Sequence, residues 1–208
     1  MSTVVQTKVA VPGATEVYPH RGCVTRRRRN HRHGHRSGVV WLTGLSGAGK
    51  STIASAVEAE LFEAGWLITV LDGDTLRAGL NSDLDFSASA REENLRRAGE
   101  VALLLAEAGH VVLATFISPH RAGREAVRRV IGDDFHLVHV RARLEDCIAR
   151  DPKGLYRRAL AGAIPDFTGI GQAYEEPPDA DLILDTSGAD VEACRRTLAG
   201  FIRERFAL

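Results

Sequence analysis

One segment of the chain combines glycines, a lysine and a serine at the spacing of a phosphate-binding loop. Residues 44–51 match GxxxxGK[ST] without a gap: Gly44, Leu45, Ser46, Gly47, Ala48, Gly49, Lys50 and Ser51. The glycines let backbone N–H groups converge on phosphate oxygens without Cβ clashes. Lys50 is predicted to bridge the β- and γ-phosphates, and the Ser51 hydroxyl to bind Mg²⁺. A glycine-rich turn is the alternative, but the segment follows an apolar run and opens a helical pattern, as a nucleotide-binding loop does.

Acidic residues stand at the end of the next apolar run. Asp72 and Asp74 follow residues 67–71, at the edge where open α/β sheets bind ligands. A kinase carboxylate at this edge orients the acceptor hydroxyl, takes its proton, or holds Mg²⁺ through water. The alternative is that Asp74 only caps the following helix, and Asp185 is a similar acid after a later run. We favour Asp74, because Arg77 follows three residues later on the same helical face.

Further polar and aromatic residues are candidates for binding a second substrate. Arg91 and Asn94 are three residues apart on one face of a predicted helix, where they could bind an anionic group and a ribose or base edge. A solvated polar face is the alternative. Phe86 and Phe167 lie in polar, irregular surroundings that suit stacking on a base, although such aromatics are more often part of the core.

Alternating strands and helices position these residues. Apolar runs predict five strands, at residues 39–43, 67–71, 110–116, 135–140 and 182–184. Ser89 and Glu92 have capping-box spacing near the start of a long helix over residues 87–108. Ser118 before Pro119 is typical of an N-cap followed by proline. The alternation predicts a single α/β domain of the P-loop NTPase type, with three α/β/α layers and a mainly parallel five-stranded sheet.

Two segments depart from this alternation. Residues 151–178 are irregular and rich in Gly and Pro, which predicts a lid segment within a folded domain over residues 38–208. Residues 1–37 form a basic extension, because residues 1–36 carry a net charge of about +7 against about −7 for the remainder. With almost nothing apolar to bury, this extension is expected to be disordered. A polyanion-binding patch or a His-rich metal tract is the alternative.

The composition narrows the class of protein. A length of 208 residues with 44% hydrophobic residues suits one soluble domain. No apolar run approaches the roughly 20 residues of a membrane-spanning helix, and the first residues lack the organisation of a secretory signal. We therefore expect a cytoplasmic protein without a membrane partner, and nucleic acid is not an expected partner. Cys23, Cys147 and Cys194 form no CxxC pair, which argues against a disulfide framework or a zinc site.

The sequence resembles the adenylylsulfate kinase family. The segments that carry the resemblance lie between Trp41 and Ile170: WLTGLSGAGKSTIA, LDGDTLRAGLNSDLDFS, REENLRRAGEVA, TFISPHRAGRE, RDPKGLYRRA and FTGI. The resemblance implies a kinase domain that transfers the ATP γ-phosphate to the 3′-hydroxyl of adenylyl sulfate. The products would be 3′-phosphoadenylyl sulfate and ADP, as in sulfate assimilation. A homodimer is implied as well.

The resemblance also implies a role for each site residue. Residues 44–52, up to Thr52, would bind ATP, with Ser51 as the Mg²⁺ ligand. Asp74 would engage the 3′-hydroxyl, while Lys153 in the lid would neutralise charge on the transferred phosphoryl group. The remaining acceptor ligands would be Arg77, Arg91, Asn94, Ile117 and Ser118, with Phe86 and Phe167 on the two faces of the adenine. Ser118 aligns with a serine described in the family as a phosphorylated intermediate, but in-line transfer needs no covalent step.

Some positions depart from the usual family pattern. Ala90, Ala163, Pro165, Gly171 and Gln172 stand where charged residues are common, and they cluster around the acceptor side and the lid. Two alternatives therefore stay open. One is a related P-loop kinase with another nucleotide or a small metabolite as acceptor, and the other is a catalytically weak regulatory subunit that binds ATP.

Overall fold

The computed structural model describes residues 22–208, and five parallel strands form its sheet in the order β2-β3-β1-β4-β5. The strands are β1 (Gly38–Thr43), β2 (Ile68–Asp72), β3 (Val111–Thr115), β4 (Phe135–Arg141) and β5 (Leu182–Asp185). All four pairings are parallel, so the predicted α/β class and the number of strands are confirmed.

Helices cover both faces of the sheet. They are α1 (Arg26–His33), α2 (Lys50–Glu63), α3 (Gly73–Ala78), α4 (Ala88–Glu107), α5 (Arg121–Ile131), α6 (Leu144–Arg150), α7 (Leu155–Leu160) and α8 (Val191–Phe206). Helices α2 and α8 pack together on one face, and α4 and α5 on the other, which confirms three layers. Within residues 22–208, no helix has both the length and the apolarity needed to cross a membrane.

The central strand β1 separates two apolar cores. All six of its residues are buried, as expected for a strand covered on both faces. Val40 and Leu42 face the core beneath α2 and α8, whereas Val39 and Trp41 face the core beneath α4 and α5. This alternation follows from the period of two along a strand. It fixes the position at which the loop after Thr43 leaves the sheet.

Two capping predictions are wrong. The N-cap of α4 is Ser87, whose hydroxyl accepts a hydrogen bond from the Ala90 N–H at 3.3 Å, rather than Ser89. Helix α5 begins at Arg121 with His120 as N-cap, so Ser118 does not cap it. Ser118 has a left-handed φ of 38°. Its hydroxyl is buried in hydrogen bonds to the sheet, which leaves it unable to reach a helix terminus.

The basic tract is ordered where the structure describes it, so the predicted disorder of residues 1–37 is wrong for α1. Arg26 donates to the Ser37 hydroxyl at 2.7 Å and pairs with Asp134. The buried His35 ring stacks on Trp66 at 4.7 Å. Disorder was predicted because the tract has few apolar side chains to bury. The structure attaches it to the domain through ion pairs and an imidazole instead. Residues 1–21 lie outside the described residues.

Candidate active site

Glycines shape the loop that joins β1 to α2. Gly44 has a φ of 152°, and a Cβ there would lie 2.3 Å from the carbonyl oxygen of Val140. Gly47 has a φ of 75°, and its Cβ would lie 3.1 Å from the carbonyl oxygen of Cys147. Gly49, in the left-handed region at 100°, is the residue before α2. Larger side chains at Gly44 and Gly47 would push the loop away from β4 and α6, and would disturb its N–H groups.

Lys50, the first residue of α2, lies beneath this loop. Its side chain is only 9% exposed, and its ammonium donates to the carbonyl oxygens of Gly44 and Leu45, both at 2.8 Å. Burial lowers the pKa of Lys50 to about 8. Because neutral carbonyls satisfy the ammonium, its charge is available to anionic phosphate oxygens.

Asp72 connects the end of β2 to the first turn of α2. One carboxylate oxygen accepts from the Ser51 hydroxyl at 2.7 Å and from the Thr115 hydroxyl at 2.8 Å. The other accepts from the Asp74 N–H at 2.9 Å, so Asp72, and not Asp74, caps α3. Burial acts to raise the pKa of Asp72, but four hydrogen bonds together outweigh it and leave the pKa below its ordinary value. They come from the hydroxyls of Ser51 and Thr115 and the backbone N–H groups of Asp74 and Thr75.

The oxygen atoms of Ser51 and Asp72 suit Mg²⁺, which prefers hard oxygen ligands and takes few from the protein. Across residues 22–208, no group of three or more His, Cys, Asp or Glu side chains could hold a metal ion. A hydroxyl beside a carboxylate fits an ion that is bound mainly by phosphate oxygens and water.

The Asp74 side chain, freed from capping, forms an ion pair with Lys153. Lys153 lies between α6 and α7 in the predicted lid, and the hydrogen bond with Asp74 raises its pKa. The side chains are 69% and 56% exposed. The pair therefore brings the predicted lid to the carboxyl end of β2, and both charged groups stay largely exposed to solvent.

Two guanidinium groups lie on the predicted acceptor side. Arg77 stacks on the Phe86 ring at 4.4 Å and donates to the carbonyl oxygen of Asp85 at 2.9 Å. Burial lowers the pKa of Arg77, and the nearby positive charge of Arg91 lowers it further. Arg91 also donates to the side-chain oxygen of Gln172 at 2.6 Å, which joins α4 to the lid. Two like charges held so close suit a doubly anionic ligand.

Two of the predicted acceptor ligands are built into the protein interior. Asn94 is buried and accepts from the Asn81 side chain at 2.9 Å. Phe167 is 8% exposed and meets Tyr156 edge to face at 5.0 Å. Phe86 is different, because its ring is 69% exposed.

Ile117 and Ser118 follow the end of β3 and are tied to β1. The Thr43 hydroxyl donates to the carbonyl oxygen of Ile117 at 2.7 Å. The Ser118 hydroxyl donates to the Thr43 hydroxyl at 2.9 Å and accepts from the Trp41 indole at 3.1 Å. Ser118 is 2% exposed, and its hydroxyl is fully engaged with residues of β1. Its carbonyl oxygen accepts from Arg124 at 2.9 Å.

Sequence patterns missed the residues that attach the lid. The Tyr156 hydroxyl donates to the carbonyl oxygen of Ser46 at 3.0 Å. Immediately before the predicted lid, Arg150 of α6 donates to the carbonyl oxygen of Gly47 at 3.3 Å. The Tyr174 hydroxyl lies 3.0 Å from that of Thr43. Two tyrosines in a segment otherwise rich in Gly and Pro were the available signal, but spacing alone does not show what they contact.

The other strand-end acid, Asp185, pairs with Arg141 at 2.8 Å. This contact joins β5 to β4 and does not involve the lid lysine. A structural role is therefore sufficient for Asp185, whereas Asp72 contacts Ser51 and Asp74 pairs with Lys153.

Lys50 beneath the loop and Lys153 in the predicted lid are close enough that, in addition to burial, the charge of Lys153 helps to lower the pKa of Lys50. Two positive charges so placed suit the transferred group of a phosphoryl-transfer reaction. Together with the parallel sheet, this arrangement defines a kinase of the P-loop class. Residues 36–185 match the family described as Adenylylsulphate kinase. The chain belongs to that family.

Individual relatives agree with this assignment. The adenylyl-sulfate kinase of Bacillus licheniformis is 48% identical over 187 residues, which are 89% of this chain and 95% of the relative. That of Shewanella amazonensis is 51% identical over 175 residues, 84% of this chain and 88% of the relative. The structure of the Mycobacterium tuberculosis APS kinase CysC in complex with AMPPNP and APS has a TM-score of 0.75 and 48% identity, and the match covers 78% of this chain and 96% of that one.

Proposed function

We propose that this protein transfers the γ-phosphoryl group of ATP to the 3′-hydroxyl of adenylyl sulfate, giving 3′-phosphoadenylyl sulfate and ADP. The observation that carries the proposal is the ion pair between Lys153 and Asp74, which brings the lid lysine and the acceptor acid together beside the loop of Lys50. Its M. tuberculosis relative was solved in complex with both AMPPNP and APS, which supports an ATP-type donor and an APS acceptor for this chain.

The donor side would hold the phosphates of ATP. Backbone N–H groups of residues 44–52 and the start of α2 bind phosphate oxygens, and Lys50 exchanges its two carbonyl partners for the β- and γ-phosphates. Ser51 and Asp72 would hold Mg²⁺, directly and through water. Mg²⁺ supplies charge neutralisation between the phosphate oxygens.

The acceptor side would orient the 3′-hydroxyl. Asp74 has an exposed carboxylate and can accept the hydroxyl proton, after its pairing with Lys153 loosens. Lys153 would then turn to the transferred phosphoryl group and neutralise developing charge. No protein nucleophile is needed between donor and acceptor. The buried Ser118 hydroxyl supports this direct transfer, since both of its hydrogen bonds are to the sheet.

The acceptor's phosphosulfate would bind near Arg77 and Arg91, whose mutual proximity leaves positive charge uncompensated. Phe86 would stack on the adenine, because its ring is exposed. Stacking by Phe167 requires part of the lid to shift, since the ring is buried against Tyr156. The role of the remaining predicted ligands would be indirect. Neighbouring backbone and side-chain groups would be held in position for the acceptor by Asn94, Ile117 and Ser118.

The proposal includes a homodimer in the cytoplasm, which the resemblance of the sequence to the family supports. Light scattering on the purified chain would measure the mass. A monomer would remove the dimer from the proposal and leave the reaction unaffected.

The reaction is tested by ADP release from the full chain with Mg-ATP and one of three additions: adenylyl sulfate, another nucleotide with a free 3′-hydroxyl such as AMP, or no acceptor. We expect turnover with adenylyl sulfate to exceed the other two by at least about a hundredfold, the discrimination that a charged binding site supplies. Equal turnover with AMP would indicate a related kinase with another acceptor. ATP binding without turnover would indicate the regulatory subunit, and either result would overturn the proposal.

A further inference from the structure

Two tyrosines of the lid place their hydroxyl groups on different parts of the site. Tyr156 is 1% exposed, and its hydroxyl donates to the carbonyl oxygen of Ser46 within the phosphate loop at 3.0 Å. Its ring packs edge to face on Phe167 at 5.0 Å. Its backbone N–H donates to the Asp151 carboxylate at 3.1 Å, so both ends of the residue are held. The hydroxyl is thereby aimed at the donor loop.

Tyr174 reaches the acceptor side. Its hydroxyl lies 3.0 Å from that of Thr43, and its ring stacks on His139 with centroids 5.7 Å apart. The Arg124 guanidinium is a second neighbour of the Tyr174 ring and lies 6.0 Å from its centre. Burial raises the pKa of the Tyr174 phenol to about 12, so the group is a hydrogen-bond donor throughout the working range of pH.

The Thr43 hydroxyl connects Tyr174 to the turn after β3. It donates its one proton to the carbonyl oxygen of Ile117 at 2.7 Å, so the contacts with Tyr174 and Ser118 must be accepted ones. Arg124 donates to the carbonyl oxygen of Ser118 at 2.9 Å. The φ of 38° at Ser118 is one that a serine rarely adopts, and surrounding contacts must hold it. Tyr174 is the part of this network that belongs to the lid.

We propose that Tyr156 and Tyr174 are positioning residues with separate tasks: Tyr156 sets the phosphate loop for ATP, and Tyr174 sets the turn at Ile117 and Ser118 for the acceptor. This inference rests on the proposed function. The two hydroxyls share no partner, so each substrate has its own contact with the lid. Each hydroxyl would therefore couple one side of the site to the position of the lid, in addition to the contacts that Lys153 and Gln172 make with Asp74 and Arg91.

Phenylalanine substitutions separate the two tasks, because each removes one hydroxyl and keeps the ring. For Tyr156→Phe we expect the dissociation constant of ADP and the KM for ATP to rise about threefold to tenfold, the usual effect of losing one neutral hydrogen bond. The KM for adenylyl sulfate should stay within about twofold. For Tyr174→Phe we expect the reverse: the KM for adenylyl sulfate should rise, and the two constants for ADP and ATP should stay within about twofold. Each variant serves as the matched control of the other.

The experiment measures ADP binding by calorimetry and both KM values by ADP release, on the full-length wild type, the two single variants and the double variant. The double variant should show both increases, each of the size found in its single variant. Loss of thermal stability in both variants with both KM values unchanged would overturn the inference and leave only a packing role. An increase of the same constant in both variants would overturn it too. Failure of the proposed function would give a different result, because the wild type would then show no turnover with adenylyl sulfate. That result would overturn the role of Tyr174 at the acceptor. The role of Tyr156 at the phosphate loop would still be decided by ADP binding.

Discussion

The Lys153 ammonium of the lid pairs with the Asp74 carboxylate at the carboxyl end of β2. The hydrogen bond raises the pKa of Lys153, so the side chain stays cationic at neutral pH. More than half of each side chain is exposed, and an exposed pair contributes little to stability. The pair is therefore better explained by the reaction than by the fold.

Replacing either member should reduce activity and leave stability unchanged. We expect Asp74→Asn to lower kcat/KM for adenylyl sulfate by about 10²–10⁴, the usual contribution of a positioned general base. Lys153→Met should lower it by about 10²–10³, the range for one electrostatic donor. The double variant should lose no more than about tenfold beyond the worse single, because the two groups act as a unit. ADP release and thermal melting check these expectations.

Asp185→Asn is the matched control for Asp74→Asn. Asp185 is another carboxylate at the carboxyl end of a strand, but it pairs with Arg141 and not with Lys153. Its substitution should leave kcat/KM within about threefold of wild type, as for a surface ion pair. Equal losses in the two variants would show that Asp74 has no special role.

Nucleotide affinity should depend on pH through Lys50. Burial lowers the pKa of this lysine to about 8, and the ammonium is the charged form that binds phosphates. A lysine is protonated below its pKa, so affinity should be greatest below about pH 8 and should fall toward about tenfold per pH unit above it. ADP binding by calorimetry at several pH values between 7 and 10 measures the decline.

The matched variant is Lys50→Arg, because arginine keeps its charge over this range. It should bind more weakly at pH 7, since a planar fork replaces a compact ammonium, but it should lose the dependence on pH. A decline of equal slope in the wild type and in Lys50→Arg would assign the titration to a group other than Lys50.

The fold could be predicted because three sequence signals indicate the same α/β class. They are the apolar runs of the strands, the helical spacing between them, and the phosphate-binding motif between β1 and α2. Boundaries were off by one or two residues, as at β2, where residues 67–71 were predicted and Ile68–Asp72 form the strand. The tract of α1 was mispredicted, since its attachment depends on Arg26 and His35 and not on an apolar face.

The sequence was enough to predict which residues belong to the candidate site. It was not enough to predict which of them contact one another. Asp72 ends β2 and Asp74 comes two residues later, and the sequence could not show which one turns to Ser51 and which one to Lys153. Ser118 before Pro119 matched a capping pattern, but the buried Trp41 indole supplied a stronger partner. Side-chain direction at a strand end depends on distant elements, which local spacing does not encode.

Ser118→Ala should reduce stability more than activity. The substitution leaves the Trp41 indole N–H without its acceptor in a buried place, which costs about 1–3 kcal/mol of unfolding free energy. Turnover should fall by less than about tenfold, since phosphoryl transfer needs no serine nucleophile. Urea unfolding and ADP release measure the two effects.

Ser118→Gly provides the comparison. It removes the same hydroxyl but relaxes the strained φ of 38°, so it should be less destabilising than alanine by about 1 kcal/mol. If both variants were folded but inactive, the hydroxyl would have a chemical role, and direct transfer would be the wrong mechanism.

His35 should make stability depend on acidity. Its neutral ring accepts from the Leu67 N–H at 3.0 Å through Nε2, and its Nδ1 donates to the carbonyl oxygen of Arg36 at 2.8 Å. Burial lowers the pKa of His35 below its ordinary value of 6.5. Stability from the neutral ring is therefore fully present above about pH 6.5 and is lost as pH falls through the lower pKa of the folded state.

His35→Gln removes the titrating ring, and we expect it to cost about 1–3 kcal/mol at pH 7.5, for the lost packing and an unsatisfied Leu67 N–H. The cost should shrink at pH 5, where the wild type has already lost part of this stability. Burial also lowers the pKa of His110, His136 and His139, so the variant should keep some acid sensitivity. His31→Gln, on the exposed side of α1, should leave both unfolding curves unchanged. A cost for His35→Gln that is the same at both pH values would mean that packing alone, and not the charge state of the ring, attaches the basic tract to the domain.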